Sequence, residues 1–139
     1  AHDADPKRMA DLPARAARAG AAITRADTAP DPAAFDLVLC DVPCSGSGAW
    51  RRSPEGKLRL TPERLAALTA EQAAILEAVA PRLRPGAWLA YVTCSVLAAE
   101  NAAQATAAAR RHGLTERLQH QWLPGPGGDG FFLSLMEKT

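Results

Sequence analysis

This chain carries no excess of either charge: 16 lysines and arginines face 15 aspartates and glutamates, a formal net charge of +1. A basic nucleic-acid tail and an acidic solvating segment are both excluded, so any affinity for nucleic acid must come from a local patch. No apolar run approaches the length of a membrane span, and no signal peptide precedes the first helix. The three cysteines, at 40, 44 and 94, are too few and too unevenly spaced for a disulfide framework. Zinc is poorly served as well, because Cys40 and Cys44 have neither a second close pair nor a nearby histidine. Reduced thiols in a cytoplasmic protein are expected. Internal repeats and low-complexity linkers are absent.

What is present fits one core: 139 residues, 47% hydrophobic and 22% charged, make one domain or part of one. Asp5 caps a helix that Pro6 opens and Gly20 closes, with Met9, Leu12, Ala16 and Ala19 on one face. Residues 21–26 make a short strand around Ile23, and 35–40 (FDLVLC) a near-continuous apolar strand of the covered parallel kind. Residues 41–61 form a loop rich in Gly, Ser and Pro. A short helical turn starts at Thr61-Pro62, and a longer helix at Thr69, where Gln72 completes a capping box. Ile75, Leu76, Val79 and Leu83 give that helix its buried face until Pro85-Gly86 stop it. A strand at 87–94, an alanine-rich helix at 98–112 closed by Gly113, and strands at 115–121 and 131–136 complete the order. Helices alternating with apolar strands imply an α/β fold with a mostly parallel sheet covered by helices on both faces. His2, His112 and His120 show no partner pattern and are expected on the surface. The opening "AHD" reads as the end of a strand whose start is missing, so the chain is expected to be one part of a larger catalytic domain.

Two apolar runs end in a thiol followed by small polar residues: DLVLCDVPCSGSG at 36–48 and LAYVTCSV at 89–96. In an open parallel sheet, ligands sit beyond the carboxyl ends of the strands. Cys44 and Cys94 are therefore expected to face one crevice, whereas Cys40, inside its run, is a small core residue. Asp41 places an acid beside the thiols. Gly46 and Gly48 keep Cβ atoms out of the crevice and admit a flat ligand. These parts suit addition of a thiolate to an electron-poor ring, with a carboxyl bonding a ring nitrogen where charge develops.

DVPCSGSG is similar to the Asp-Ala-Pro-Cys-Ser motif, and VTCSV to the Thr-Cys-Ser motif, of RNA cytosine-C5 methyltransferases. The whole chain resembles the Sun/Fmu (RsmB) family, which methylates bacterial 16S ribosomal RNA. The likeness includes D-x-D-P-x-R at 3–8, RR-x-P-E at 51–55, Leu-Arg-Pro-Gly at 83–86, Glu100-Asn101 and GDGFF at 128–132. It implies a Rossmann-like fold that uses S-adenosylmethionine, with Cys94 adding to cytosine C6, Cys44 assisting release, and Asp41 bonding the base near N3. The residues alone do not rank the thiols, because DNA cytosine methyltransferases use a Pro-Cys thiol as nucleophile; the resemblance assigns Cys94. By the same resemblance Asp3 holds the cofactor ribose, Asp27 lies near its adenine, and Asp41 lies on its side of the site. Arg51, Arg52, Lys57 and Arg59 follow the Cys44 motif and are expected to hold RNA phosphates.

One departure stands out. The family's first sheet strand, its glycine-rich loop and an adjacent lysine have no counterpart here. Their absence implies an open strand edge, a chain inactive alone, and self-association. A catalytically silent RNA-binding domain and a transfer-RNA methyltransferase are the alternative readings.

Overall fold

A computed structural model describes residues 1–139. Its centre is a four-stranded sheet of β1 (Leu37–Asp41), β2 (Trp88–Thr93), β3 (Leu114–Trp122) and β4 (Phe131–Lys138), ordered β1-β2-β4-β3. β1 and β2 run parallel, with Asp41 opposite Val92; β4 is antiparallel to both β2 and β3. Only one of the three pairings is thus parallel. The expected mostly parallel sheet fails at its C-terminal half, where Pro124 and the glycines of 125–130 turn the chain back as a hairpin.

The crossover between β1 and β2 carries α2 (Glu55–Arg59) and α3 (Pro62–Val79). Thr61 caps α3, its hydroxyl accepting from the Arg64 amide at 3.2 Å, and Pro62 occupies the first turn. The break expected at Thr69 does not occur. With its amide already in the helix, Thr69 turns its hydroxyl back to the Leu65 and Ala66 carbonyls, at 3.1 and 3.0 Å. Gln72 is freed for a different task. α4 (Ala102–His112) ends at Gly113, whose left-handed φ of 62° lets its amide reach the Ala109 carbonyl.

Both long helices bury one sheet face. Leu76, Ala105 and Ala108 join Cys40, Val42, Leu89, Tyr91, Phe132 and Met136 in a single core, and Tyr91 meets Phe132 edge to face at 6.3 Å. Alanines on α4 let it approach the sheet closely. Leu76 and Leu89 are 1% and 0% exposed; truncating either to Ala removes about 2–5 kcal/mol. The other face is open. Leu37 and Leu39 are 52% and 62% exposed, so the helices do not cover both faces as expected, and β1 alternates instead of being buried throughout.

Residues 1–36 stand apart from that core. The first expected helix is split into a 3-10 turn, Pro6–Met9, capped by Asp5, and α1 (Leu12–Arg18). Pro13 explains the break: its ring excludes the carbonyl four residues back, and it has no amide to donate. Residues 21–26 form no strand. Two backbone bonds to Ala1, from its amine to Thr24 and from the Ala26 amide, tie them to the chain's start, too little for a ladder. His112, expected on the surface, instead has a side chain only 7% exposed, 3.2 Å from Glu77. No helix is long and apolar enough to cross a membrane.

Candidate active site

Parallel pairing brings β1 and β2 out at the same sheet edge. The Val42 amide extends the ladder by one bond, to the Val92 carbonyl at 3.3 Å. Beyond it the two loops converge until the sulfurs of Cys44 and Cys94 lie 3.3 Å apart. Both thiols are half-buried, whereas Cys40 lies in the core. The two thiols expected to meet beyond the strand ends are therefore adjacent, and Cys44 also lines a neighbouring cleft.

Contact makes the thiols unequal. Two adjacent sulfurs do not readily both carry charge, so the ionised one is held by the S–H of the other. That hydrogen bond from Cys44 draws Cys94 down to about 7, against the opposing effects of burial and of the Asp41 and Glu100 carboxylates. The same bond, with burial, pushes Cys44 far above the ordinary thiol range. Burial alone pushes Cys40 up to about 11. Near neutral pH the thiolate is Cys94.

The glycines after Cys44 serve the fold more than an incoming ligand. Gly46 takes a left-handed φ of 68° and turns the loop into the short 3-10 helix Ser47–Ala49. Gly48 then bonds through its amide to the Cys94 carbonyl and through its carbonyl to the Gly130 amide, both at 2.9 Å. A Cβ on Gly48 would lie 2.1 Å from the Gly130 oxygen. At Gly48 the space expected to admit a flat ligand is filled by the chain's own backbone, whereas at Gly46 it is open.

The likeness included Glu100 and Asn101, but the sequence alone did not show the role they play underneath the thiols. Glu100, 0% exposed, accepts from the amide and hydroxyl of Ser45 and from the hydroxyl of Ser95. Gln72, read as part of a capping box, bonds Glu100 and the Pro43 carbonyl. Asn101 bonds Thr93 at 2.6 Å and the Ser95 carbonyl at 2.9 Å. The available signal was an adjacent acid and amide in a run of small apolar residues, eight residues downstream of a strand.

The basic loop divides in two. Arg52 bonds Asp129 at 2.7 Å and is tied to the β3–β4 turn, whereas Arg51 lies 4.0 Å from the other Asp129 oxygen, makes no hydrogen bond to it and stays exposed. Arg52 holds the Asp129 carboxyl below the usual carboxylate range. Arg59 and Arg64 have no ion-pair partner; with Leu60, Leu68 and Ser45 they line a cleft of about 200 Å³ that opens onto Cys44. Lys57 is exposed on α2. Of the expected cofactor acids, Asp41 is exposed at the end of β1 with no hydrogen-bond partner. Asp3 accepts from the Asp5 amide at 2.8 Å, and Asp27 lies 3.7 Å from Arg25.

A family model described as 16S rRNA methyltransferase RsmB/F matches residues 1–129. The chain belongs to the RsmB/F family. It is 42% identical over 113 residues to ribosomal RNA small subunit methyltransferase B of Serratia proteamaculans (strain 568), covering 75% of this chain and 26% of the relative. The like-named protein of Xylella fastidiosa (strain 9a5c) is 43% identical over 121 residues, covering 78% and 29%. The crystal structure of PH0851 superposes with a TM-score of 0.84 at 28% identity, covering 99% of this chain and 36% of that one. NSun6 from Pyrococcus horikoshii, solved with SFG, gives 0.76 at 22%, a likeness of fold, covering 99% and 40%. The α/β architecture is thus that of the methyltransferases. The RsmB/F match takes in both thiols, the Glu100 cluster and Asp129, and the chain spans little more than a quarter of the length of the relatives named here.

Proposed function

We propose that the chain is part of the catalytic domain of an S-adenosylmethionine-dependent RNA cytosine-C5 methyltransferase. Its substrate in this reading is 16S ribosomal RNA, in the cytoplasm. The supporting observation is the pair of half-buried thiols, 3.3 Å apart at neighbouring strand ends, a contact that draws the Cys94 thiol below its ordinary range.

Cytosine C5 is too weak a nucleophile to be methylated directly. The Cys94 thiolate adds to C6, and the ring electrons move to C5. Asp41, exposed and unpartnered beside the thiols, bonds the base at N3 and its exocyclic amine and stabilises that adduct. S-adenosylmethionine, when bound, would supply the electrophilic methyl group for C5. Loss of the C5 proton then restores the C5–C6 double bond and expels Cys94 as thiolate. Cys44 assists this release. While Cys94 is a thiolate its charge keeps Cys44 protonated; once that sulfur is bonded to carbon, the restraint on Cys44 is gone.

Asp3, Asp27 and Asp41 are the residues of this chain proposed to hold the cofactor. Only Asp41 is free of a protein partner, and no glycine-rich loop is present to admit the methionine end. The isolated chain is therefore proposed to be inactive, and to self-associate through the open edge of β1. Lys57, Arg59 and Arg64 are proposed to hold RNA phosphates, with Arg51 and Arg52 adding the N–H groups that Asp129 does not take.

The test uses the full-length protein, labelled S-adenosylmethionine and unmethylated 16S RNA. Label is expected at cytosine C5. Cys94→Ala abolishes both methylation and the RNA adduct seen on a denaturing gel, and Cys44→Ala accumulates the adduct. Adduct formation by the Cys94→Ala protein overturns the assignment of roles.

A further inference from the structure

Glu100 has no role in the reaction above, yet its carboxylate is among the most completely bonded groups in the molecule. Oε1 accepts from the Ser45 amide at 2.8 Å and from Gln72 Nε2 at 3.1 Å. Oε2 accepts from the Ser45 and Ser95 hydroxyls at 2.5 and 2.6 Å. Four donors fill the four lone-pair positions of a carboxylate. Ser45 follows Cys44 in the chain, and Ser95 follows Cys94. Gln72 also bonds the carbonyl of Pro43, immediately before Cys44, at 2.9 Å. From below, the Tyr91 hydroxyl of β2 anchors the Glu100 carbonyl at 2.5 Å.

We infer that Glu100 is a positioning residue that sets the separation of Cys44 and Cys94 by joining the residues that follow them. A buried carboxylate without a cation partner is a costly filler for a core, and no lysine or arginine pairs with Glu100. What it does that an apolar side chain does not is join the two residues that directly follow the thiols. The Gly48 amide to Cys94 carbonyl bond and the Ser47 hydroxyl, which lies near Ser95 and accepts from the Val96 amide, tie the same loops farther along. The inference uses the reading above for one point, that these thiols are the reacting groups.

The donors are of two kinds, and that makes the idea testable. The two at Oε1 are N–H groups, which cannot reverse. The two at Oε2 are hydroxyls, which can turn to accept. Ser95 already accepts from the Leu97 amide and lies 2.9 Å from the Ser47 hydroxyl, so its proton has somewhere else to go. A glutamine with its oxygen in the Oε1 position therefore keeps all four bonds; alanine keeps none.

The experiment equilibrates the full-length protein with reduced and oxidised glutathione and quantifies the Cys44–Cys94 disulfide by mass spectrometry. One oxidised glutathione takes two electrons from the two thiols and leaves as two reduced glutathiones, so the ratio at half-oxidation reads the effective concentration of one thiol at the other. Glu100→Ala is expected to lower it by about tenfold or more, as for loss of hydrogen bonds to a charged group, and Glu100→Gln by no more than about threefold. Glu100→Gln also moves the midpoint of Cys94 alkylation to lower pH, because a neighbouring negative charge is gone. In RNA methylation, Glu100→Ala lowers kcat with little change in KM. Should Glu100→Ala fail to fold, Ser45→Ala and Ser95→Ala each remove one tie and lower the effective concentration severalfold. A folded Glu100→Ala protein with an unchanged effective concentration, whatever its Tm, overturns the inference. Absence of RNA methylation by the wild-type protein would overturn the proposed function and leave this measurement valid.

Discussion

The two ends of the expected site are built to different standards. At the thiol end, loops fifty residues apart are braced by Glu100, Gln72, Ser47 and Ser95, and by glycine backbones bonded to each other. In residues 1–36, where Asp3 and Asp27 were expected to grip a cofactor, those acids bond only residues next to or near them in the chain, and Met9, Ala16 and Pro32 are the only buried side chains. An acid bonded to its own neighbour is held in a local turn. A side chain bonded across fifty residues is held by the whole fold. The first arrangement leaves geometry to be completed by something else; the second fixes it in advance.

Thiol chemistry should show that contrast most sharply. At pH 7.5, iodoacetamide is expected to modify Cys94 about a thousandfold faster than Cys40, as thiolate fractions set by values of about 7 and about 11 require. Cys44→Ala removes the S–H that stabilises the thiolate, so the midpoint of Cys94 alkylation rises by about one pH unit or more. An unmoved midpoint would mean that the sulfurs are not in contact. Next in size is Gly48→Ala. Its Cβ meets the Gly130 oxygen at 2.1 Å, and the loops must part at a cost of about 1–3 kcal/mol or more, lowering Tm by roughly 5 °C. An unchanged Tm would show that the braced loops are in fact pliant.

Arg52→Ala has a smaller effect, confined by pH. Arg52 depresses the Asp129 carboxyl in the folded state, so the pair stabilises above the unfolded carboxylate value, and that contribution is lost as pH falls through the folded value. The Tm difference between wild type and variant should be present at pH 7, begin to shrink below about pH 4 and vanish once the pH falls below the depressed folded-state value. Persistence of the difference in acid would assign it to packing of the arginine stem. Smallest of all is Asp27→Ala, expected within about 0.5 kcal/mol of wild type by denaturant unfolding. A loss several times larger would erase the distinction between the two regions.

Several elements were legible because the information is local. Apolar runs mark β1, β2 and β4; Asp5 caps the first helical turn and Gly113 ends α4, each with the conformation its residue type favours. The misreadings share a cause. Thr69-x-x-Gln72 has the spacing of a capping box, but the amides were already satisfied inside α3, and Gln72 found its partners 28 and 29 residues away. The helix through Pro13 was overextended because Met9, Leu12, Ala16 and Ala19 kept the period. Covering of both sheet faces was inferred from an apolar run, a pattern that cannot say which side a helix crosses.

The same boundary runs through the candidate site. Residue type was enough to set which groups can react: two thiols after apolar strands, an acid beside one of them, arginines following. Their distances came from folding. Parallel pairing of β1 with β2 brought the thiols to 3.3 Å and so made one a thiolate and the other its donor, a difference that neither motif contains. Asp129 claimed Arg52, while Arg59 and Arg64 line the cleft without ion-pair partners. Glu100 acquired its place only when four donors from three segments closed around it. Chemistry of a side chain is a property of one residue. Its pKa, its partners and its freedom to react depend on what lies within a few ångströms, and in this protein those neighbours are distant in the chain.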